Sequence, residues 1–314
     1  MFELSKIMDK FNIYVPKLLP KEESFVTGRR SCSGCGKAMA VRFASKALGR
    51  EAVFKSDDSK GIVFERPDAL SFGWDEMTFD DLVQSIVSGI GRGNKKLISE
   101  GKTTREWVRK PAIALDKKIL EENYTAFSNL LERKLNILIA LYDNEPYMDR
   151  FIKNSIPPAF GIEYEHHIPG EKELDFIMED KSLLKPLTES NISYAASASV
   201  AYPFDLINKI KKGMEKKGTA LVLIHSPCPT GWIFPAQDTV KLAKLAIDSR
   251  FFPLWELSEG EFSLTMKVEN SEKVEQYIKS QDRYRNFRGD TVSIIRKSVD
   301  REYTRILSLE KSKQ

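Results

Sequence analysis

Two oxygen-bearing side chains stand where apolar runs stop. The run Ala112 to Leu115 ends at Asp116, and the run Ile137 to Leu141 gives way to Asp143, Asn144 and Glu145. A carboxylate and an amide oxygen, completed by a main-chain carbonyl and phosphate oxygens, suit a hard divalent cation such as magnesium holding a diphosphate. The plain alternative is that Asp116 and Asn144 are ordinary strand-end turn residues. The second set is sulfur: Cys32 and Cys35 form a Cys-x-x-Cys spacing, and Cys228 completes a count of three. Thiols just before a helix meet free N–H groups and the positive end of its dipole, which favours the thiolate and metal ligation. An odd count with that spacing argues for a reducing compartment and a metal or redox role rather than a disulfide framework. His225 stands three residues before Cys228, so Cys32, Cys35, Cys228 and His225 would serve as a tetrahedral zinc set, the alternative to a cluster. Three unligated core cysteines are the remaining reading.

The elements that must carry these groups follow from periodicity. Between the two apolar runs, Tyr124, Phe127, Leu130 and Leu131 fall on one helical face. Strand, helix and strand in so short a stretch imply parallel strands with a right-handed crossover. Ligands of such sheets gather beyond the carboxyl ends of the strands, where Asp116 and Asn144 both lie. Lys37 to Leu48 reads as a helix behind the two cysteines. A further unit follows, with a strand from Ile192 to Ser199, a helix from Pro203 to Lys217 and a strand from Ala220 to His225. Pro203 suits a first helical turn. Thr239 to Arg250 is an amphipathic helix. Phe79 to Ile90 predicts a helix capped at its end by GIGRG, because these glycines follow the helix rather than precede one as a phosphate loop would. Asn94 to Lys110 reads as an exposed loop or short helix, and His166 and His167 as surface residues of a loop. The expected fold class is α/β, a mostly parallel sheet with helices on both faces.

Composition narrows the function. The 314 residues suffice for one large α/β domain or two smaller ones. Hydrophobic residues at 41% and charged ones at 30% describe a well-charged globular chain. The net charge of +4 comes from 49 basic and 45 acidic residues mixed along the sequence, so no basic stripe points to nucleic acid. No apolar run approaches the roughly 20 residues that span a bilayer. The first residues lack the pattern of a secretion signal, and Phe2, Leu4, Ile7, Met8, Phe11 and Ile13 suggest an amphipathic arm.

Four segments carry a resemblance: CSGCG from Cys32, YDNEPYM from Tyr142, ASVAYP from Ala198, with SYAAS before it, and SPCPTGW from Ser226. They resemble the β subunits of pyruvate:ferredoxin oxidoreductase and related 2-oxoacid:acceptor oxidoreductases. The family's metal-binding Asp falls on Asp116, its Asn on Asn144, and the Pro146 carbonyl becomes the main-chain ligand. Both glycines around the family's aspartate are replaced, by Leu115 and Lys117, and its Asn-Thr-Gly has become Asp149, Arg150 and Phe151. Glycine there lets backbone approach phosphate, so Lys117, Lys118 and Arg150 would offer positive charge in its place. Cys32, Cys35 and Cys228 match three ligands of the family's four-iron iron–sulfur (4Fe–4S) cluster. The fourth ligand's position falls near Lys60, which leaves Asp57, Asp58, a partner residue or a three-iron cluster as alternatives.

The resemblance implies a thiamine diphosphate-binding fold over residues 31–260, with an N-terminal arm at 1–30 and a charged C-terminal helical extension at 261–314. It implies a cytoplasmic, heteromeric complex with α, γ and δ-type subunits and ferredoxin as acceptor, carrying thiamine diphosphate, magnesium and the 4Fe–4S cluster. The activity implied is oxidative decarboxylation of a 2-oxoacid such as pyruvate. A non-catalytic β-like subunit that keeps fold and docking but has lost the cofactor is the alternative.

Overall fold

Strand alternation divides the apolar runs between two layers. The computed structural model describes residues 19, 31–49, 53–57, 61–65, 79–102, 110–117, 124–133, 135–145, 183–285, 287 and 289–311. Four parallel strands form the centre of an eight-stranded sheet: β3 (Ala112–Asp116), β4 (Leu138–Asp143), β5 (Tyr194–Ser199) and β6 (Ala220–His225). They lie in the order β3, β4, β6, β5, each pairing parallel with its neighbour. The hairpin of β1 (Val53–Asp57) and β2 (Gly61–Glu65) continues the sheet antiparallel beyond β3. The hairpin of β7 (Trp255–Ser258) and β8 (Glu261–Leu264) does the same beyond β5. The α/β class is as expected, with antiparallel hairpins finishing both edges of the parallel centre.

Helices cover both faces. On one, Ile113, Leu115, Ile139, Leu141, Leu221 and Leu223 pack against α3 (Tyr124–Glu132), α7 (Thr239–Asp248), α8 (Val274–Lys279) and α9 (Gly289–Lys311). On the other, Ala112, Ala114, Ala140, Tyr142, Ala196 and Ala198 pack against α1 (Gly36–Leu48) and α5 (Pro203–Glu215). Successive strand side chains point to opposite faces, which is why each strand feeds both layers. Alanines on the second face leave little side chain between backbone and helix. Gly213 of α5 comes so near that an added Cβ would meet Leu138 Cδ1 at 2.8 Å. Buried Lys110, just before β3, donates to the Gly213 and Lys216 carbonyls at 2.9 and 3.1 Å and so caps the end of α5.

Three expectations change. The helix at Phe79 does not stop at GIGRG: α2 runs from Phe79 to Ser99, and Gly101 at φ +68° ends it, with Lys102 N–H bonded to the Leu97 carbonyl. Glycine inside a helix costs only about 1 kcal/mol, so Gly91 and Gly93, neither of them buried, do not stop it, whereas the left-handed residue that closes a helix favours glycine. Tyr124 leaves the apolar face of α3 and is 49% exposed, while Phe127, Leu130 and Leu131 are buried. The boundary expected after residue 260 falls in the turn between β7 and β8, and Ile295, Val299, Tyr303 and Ile306 of α9 enter the same core as the sheet. Of the expected N-terminal arm only Leu19 is described, partly buried against the second layer. Between them α4 (Leu184–Glu189) and the short α6 (Pro229–Trp232) complete the elements used below.

Candidate active site

Strands β4 and β6 pair in parallel register along their whole length, so the segments that leave their carboxyl ends begin side by side. Ligands of open parallel sheets gather outside those ends. Asp143, Asn144 and Glu145 leave β4 there, and His225 and the Cys228 turn leave β6, tied by Ser226 N–H to the Asp143 carbonyl at 2.8 Å.

The two expected cation ligands occupy neighbouring tips. Asp116 pairs in register with Tyr142, two residues before Asn144, and alternation continues both onto the α1 face. Asp116 is partly exposed. Burial first, then the Asp116 carboxylate and then Cys35 push the Tyr142 phenol far up, so carboxylate and thiol both act on this ring. The Asn144 side-chain oxygen is buried and, among the described residues, has no hydrogen-bond partner. A buried amide oxygen without a donor is costly unless something electropositive meets it. Asp116 and Asn144 therefore fit a hard cation. Pro146 and Arg150, expected beside them, lie outside the described residues, as do Lys118, Asp58, Lys60, His166 and His167, and of Asp57 only the backbone is described.

Lys117 does not offer its charge as expected. It is 4% exposed, its Nζ lies 3.2 Å from Asp143 Oδ2, and Asp143 belongs to the opposite face from Asp116. One residue beyond Asp116, alternation turns it away from the notch. A cation on the Asp116 side is supplied instead by Lys37 in the first turn of α1, whose Nζ sits 4.5 Å from the centroid of the Tyr142 ring.

The sulfur-bearing loops are locked together. Gly36 N–H donates to the Pro227 carbonyl at 3.0 Å, so closely that a Cβ on Gly36 would stand 2.4 Å from that oxygen. Gly34, at φ +67°, lies against Ala236, and its carbonyl accepts from Thr239 Oγ1 at 2.7 Å. Burial is the main cause of a raised Cys228 pKa. The Gly231 N–H opposes it at 3.3 Å from the sulfur, and Cys35 and Cys32 add to the rise, which brings the three sulfurs into one another's field. Among the described residues no three His, Cys, Asp or Glu side chains stand close enough to hold a metal ion between them. The zinc alternative loses its fourth ligand: His225 is fully buried, with Nε2 3.5 Å from Glu145 Oε1 and its ring tilted against Trp232 and Phe252.

A network that sequence reasoning did not find lies beneath the notch. Glu145 is fully buried at φ +55°, its Oε2 paired with Arg283 Nη2 and its Oε1 accepting from Tyr277 Oη at 2.9 Å. Burial and then the Glu145 carboxylate drive the Tyr277 phenol up, so it stays a donor. Arg283 also stacks 4.0 Å over the Trp232 ring and donates to Gln281 at 2.8 Å. Trp232 Nε1 donates to the Asn144 main-chain oxygen at 2.9 Å. Arg283 and Tyr277 fall in the stretch expected as a charged C-terminal helical extension, where nothing in the sequence pointed to Glu145 as their partner.

Comparison with known proteins bears on this arrangement. No protein-family model matches the chain. Pyruvate synthase subunit PorB of Methanocaldococcus jannaschii is 30% identical over 294 residues, covering 92% of this chain and 98% of that protein. The chain belongs to the β subunits of the 2-oxoacid:ferredoxin oxidoreductases. The ketoisovalerate oxidoreductase subunit VorB of Pyrococcus abyssi is 29% identical over 296 residues, 93% of this chain and 94% of that one. A 2-oxoglutarate:ferredoxin oxidoreductase chain from Magnetococcus marinus aligns with a TM-score of 0.31 at 16% identity over 68% of this chain and 69% of that one, and nothing rests on it. As a β subunit of an oxidoreductase complex, the chain carries a buried lysine, Lys117, directly after Asp116. No described helix is long and apolar enough to cross a membrane.

Proposed function

We propose that this β subunit binds thiamine diphosphate through magnesium and, with α, γ and δ-type partners, carries out oxidative decarboxylation of a 2-oxoacid with ferredoxin as electron acceptor. The observation that carries the reading is the buried, partnerless amide oxygen of Asn144 beside the tip that bears Asp116. Magnesium would be held by Asp116, Asn144 and the Pro146 carbonyl, with Lys37 and Arg150 offering positive charge to the diphosphate. Cys32, Cys35 and Cys228 would hold an iron–sulfur cluster, its fourth ligand drawn from outside this trio.

When bound, thiamine diphosphate supplies the carbanion chemistry of decarboxylation, which no side chain can provide. The chain's own residues anchor and exclude. Asp116 and Asn144 would fix the anion's position at the carboxyl ends of β3 and β4, and α1 and α5 cover the face that carries Ala112, Ala114 and Tyr142. A cytoplasmic location follows from the need to keep three thiols reduced.

The test is composition. The chain purified anaerobically with its partners is expected to carry thiamine, magnesium and iron in near-stoichiometric amounts. Asp116→Ala is expected to weaken magnesium-dependent thiamine diphosphate binding by at least about a hundredfold, since a charged ligand of the ion is lost. Absence of thiamine and magnesium even after soaking, with iron also missing, would leave a non-catalytic subunit that keeps only fold and docking.

A further inference from the structure

Glu145 is a carboxylate without exposed surface, on a residue held in the left-handed region that side chains other than glycine rarely adopt. A buried ion pair is seldom a net gain over apolar packing, so its occurrence calls for a geometric reason. The reason lies in the adjacent residue. The backbone of the turn and the Glu145 carboxylate are held: Glu145 N–H donates to Asp143 Oδ1 at 2.8 Å, the Asn144 main-chain oxygen accepts from Trp232, and the Glu145 carboxylate accepts from Arg283 and Tyr277. The Asn144 side-chain oxygen is the buried acceptor left unmatched at this turn among the described residues; Arg283 Nη1 and His225 Nδ1 behind it are unmatched as well.

We propose that Arg283 is a positioning residue for the cation site, holding the Asn144 turn through Glu145 on one side and through the Trp232 ring on the other. Arg283 is 4% exposed, and its guanidinium bonds the carboxylate while its Cζ lies 4.0 Å over the ring of the indole that donates to Asn144 and 4.5 Å over that of Tyr284. A planar fork can make both contacts at once, whereas a lysine ammonium is a point charge and cannot stack flat. Rotation of the Asn144 peptide would break the Trp232 bond, and release of Glu145 from positive φ would strand a buried charge. The side-chain oxygen is therefore held in place before any ion arrives, which is how ligand-supporting contacts raise metal affinity. This inference rests on the reading of Asp116 and Asn144 as cation ligands and adds a residue from the far end of the chain.

The assembled complex, stripped of metal, would be titrated with Mn2+ in the presence of thiamine diphosphate, with free Mn2+ read by its EPR signal. Arg283→Lys keeps a positive charge beside Glu145, and Trp232→Phe keeps the ring but removes the donor to Asn144. Each is expected to weaken Mn2+ binding about tenfold or more without changing the number of sites. A purely structural role would lower the melting temperature and leave the affinity of the folded complex alone. Wild-type affinity in both folded variants, with Asp116→Ala binding about a hundredfold weaker, would overturn the positioning role. Wild-type affinity in Asp116→Ala as well would overturn the cation site, and this inference with it. Should Arg283→Lys fail to assemble, Trp232→Phe decides alone.

Discussion

The indole nitrogen of Trp232 lies 2.9 Å from the main-chain oxygen of Asn144. That bond joins the turn bearing Cys228, whose carbonyl accepts from Trp232 N–H at 2.8 Å, to the turn bearing the amide proposed to bind magnesium. The turns after β4 and β6 are thus tied to one another, and a change at either is expected to be felt at the other.

Lys117 and Asp143 form a pair with side chains 5% and 0% exposed. Lys117→Met is expected to destabilise the chain by about 3–5 kcal/mol because it leaves a buried carboxylate uncompensated, and Lys117→Met with Asp143→Asn to recover most of that. Chemical denaturation of the three proteins measures it. A loss much below 1 kcal/mol for the single variant would mean that water reaches Asp143.

Gly36→Ala tests the lock between the two sulfur loops. Its Cβ would meet Pro227 and Ser226 backbone at 2.4 to 2.6 Å, atoms that no rotamer change can move aside. The loops are expected to part, with iron content falling in anaerobic preparations while α1, anchored by Ala40, Val41 and Ala44, persists by circular dichroism.

Cys228→Ser and His225→Gln separate the cluster from zinc. Iron per chain is expected to fall steeply in Cys228→Ser and to hold in His225→Gln, since His225 faces Glu145. Zinc that disappears with His225 would reverse the assignment.

Burial brings Lys110 down to about 8. Below that value the amine is charged in both states, and between about 8 and the unfolded value of 10.5 the folded chain holds fewer protons there than the unfolded one. This residue's contribution to stability is therefore expected to rise as pH goes from 8 towards 10. Lys110→Met is expected to flatten that rise in melting temperature; an unchanged slope would show that its hydrogen bonds to the Gly213 and Lys216 carbonyls keep it charged.

Asp116, Asn144 and the three cysteines were legible in the sequence because each sits at a change of local pattern: an apolar run that stops, or a pair of thiols before a helix. Strands β3, β4 and β6 were legible for the same reason, since four or more buried apolar residues in a row have few other uses. Which layer Ile113 and Ala114 each join was decided only by the sheet. Periodicity could not tell which way Lys117 would turn once the glycine was gone, because that depends on the Asp143 carboxylate across the strand pair. Nor could it give Glu145 its partner, 138 residues away in the Arg283 contact. Sequence periodicity reports interactions a few residues long, whereas a buried charge is settled by whichever opposite charge the completed fold brings to it. The proposed ligands were written in the chain; the contacts around the Asn144 turn were decided only when β4, α6 and the segment around Arg283 closed on one another.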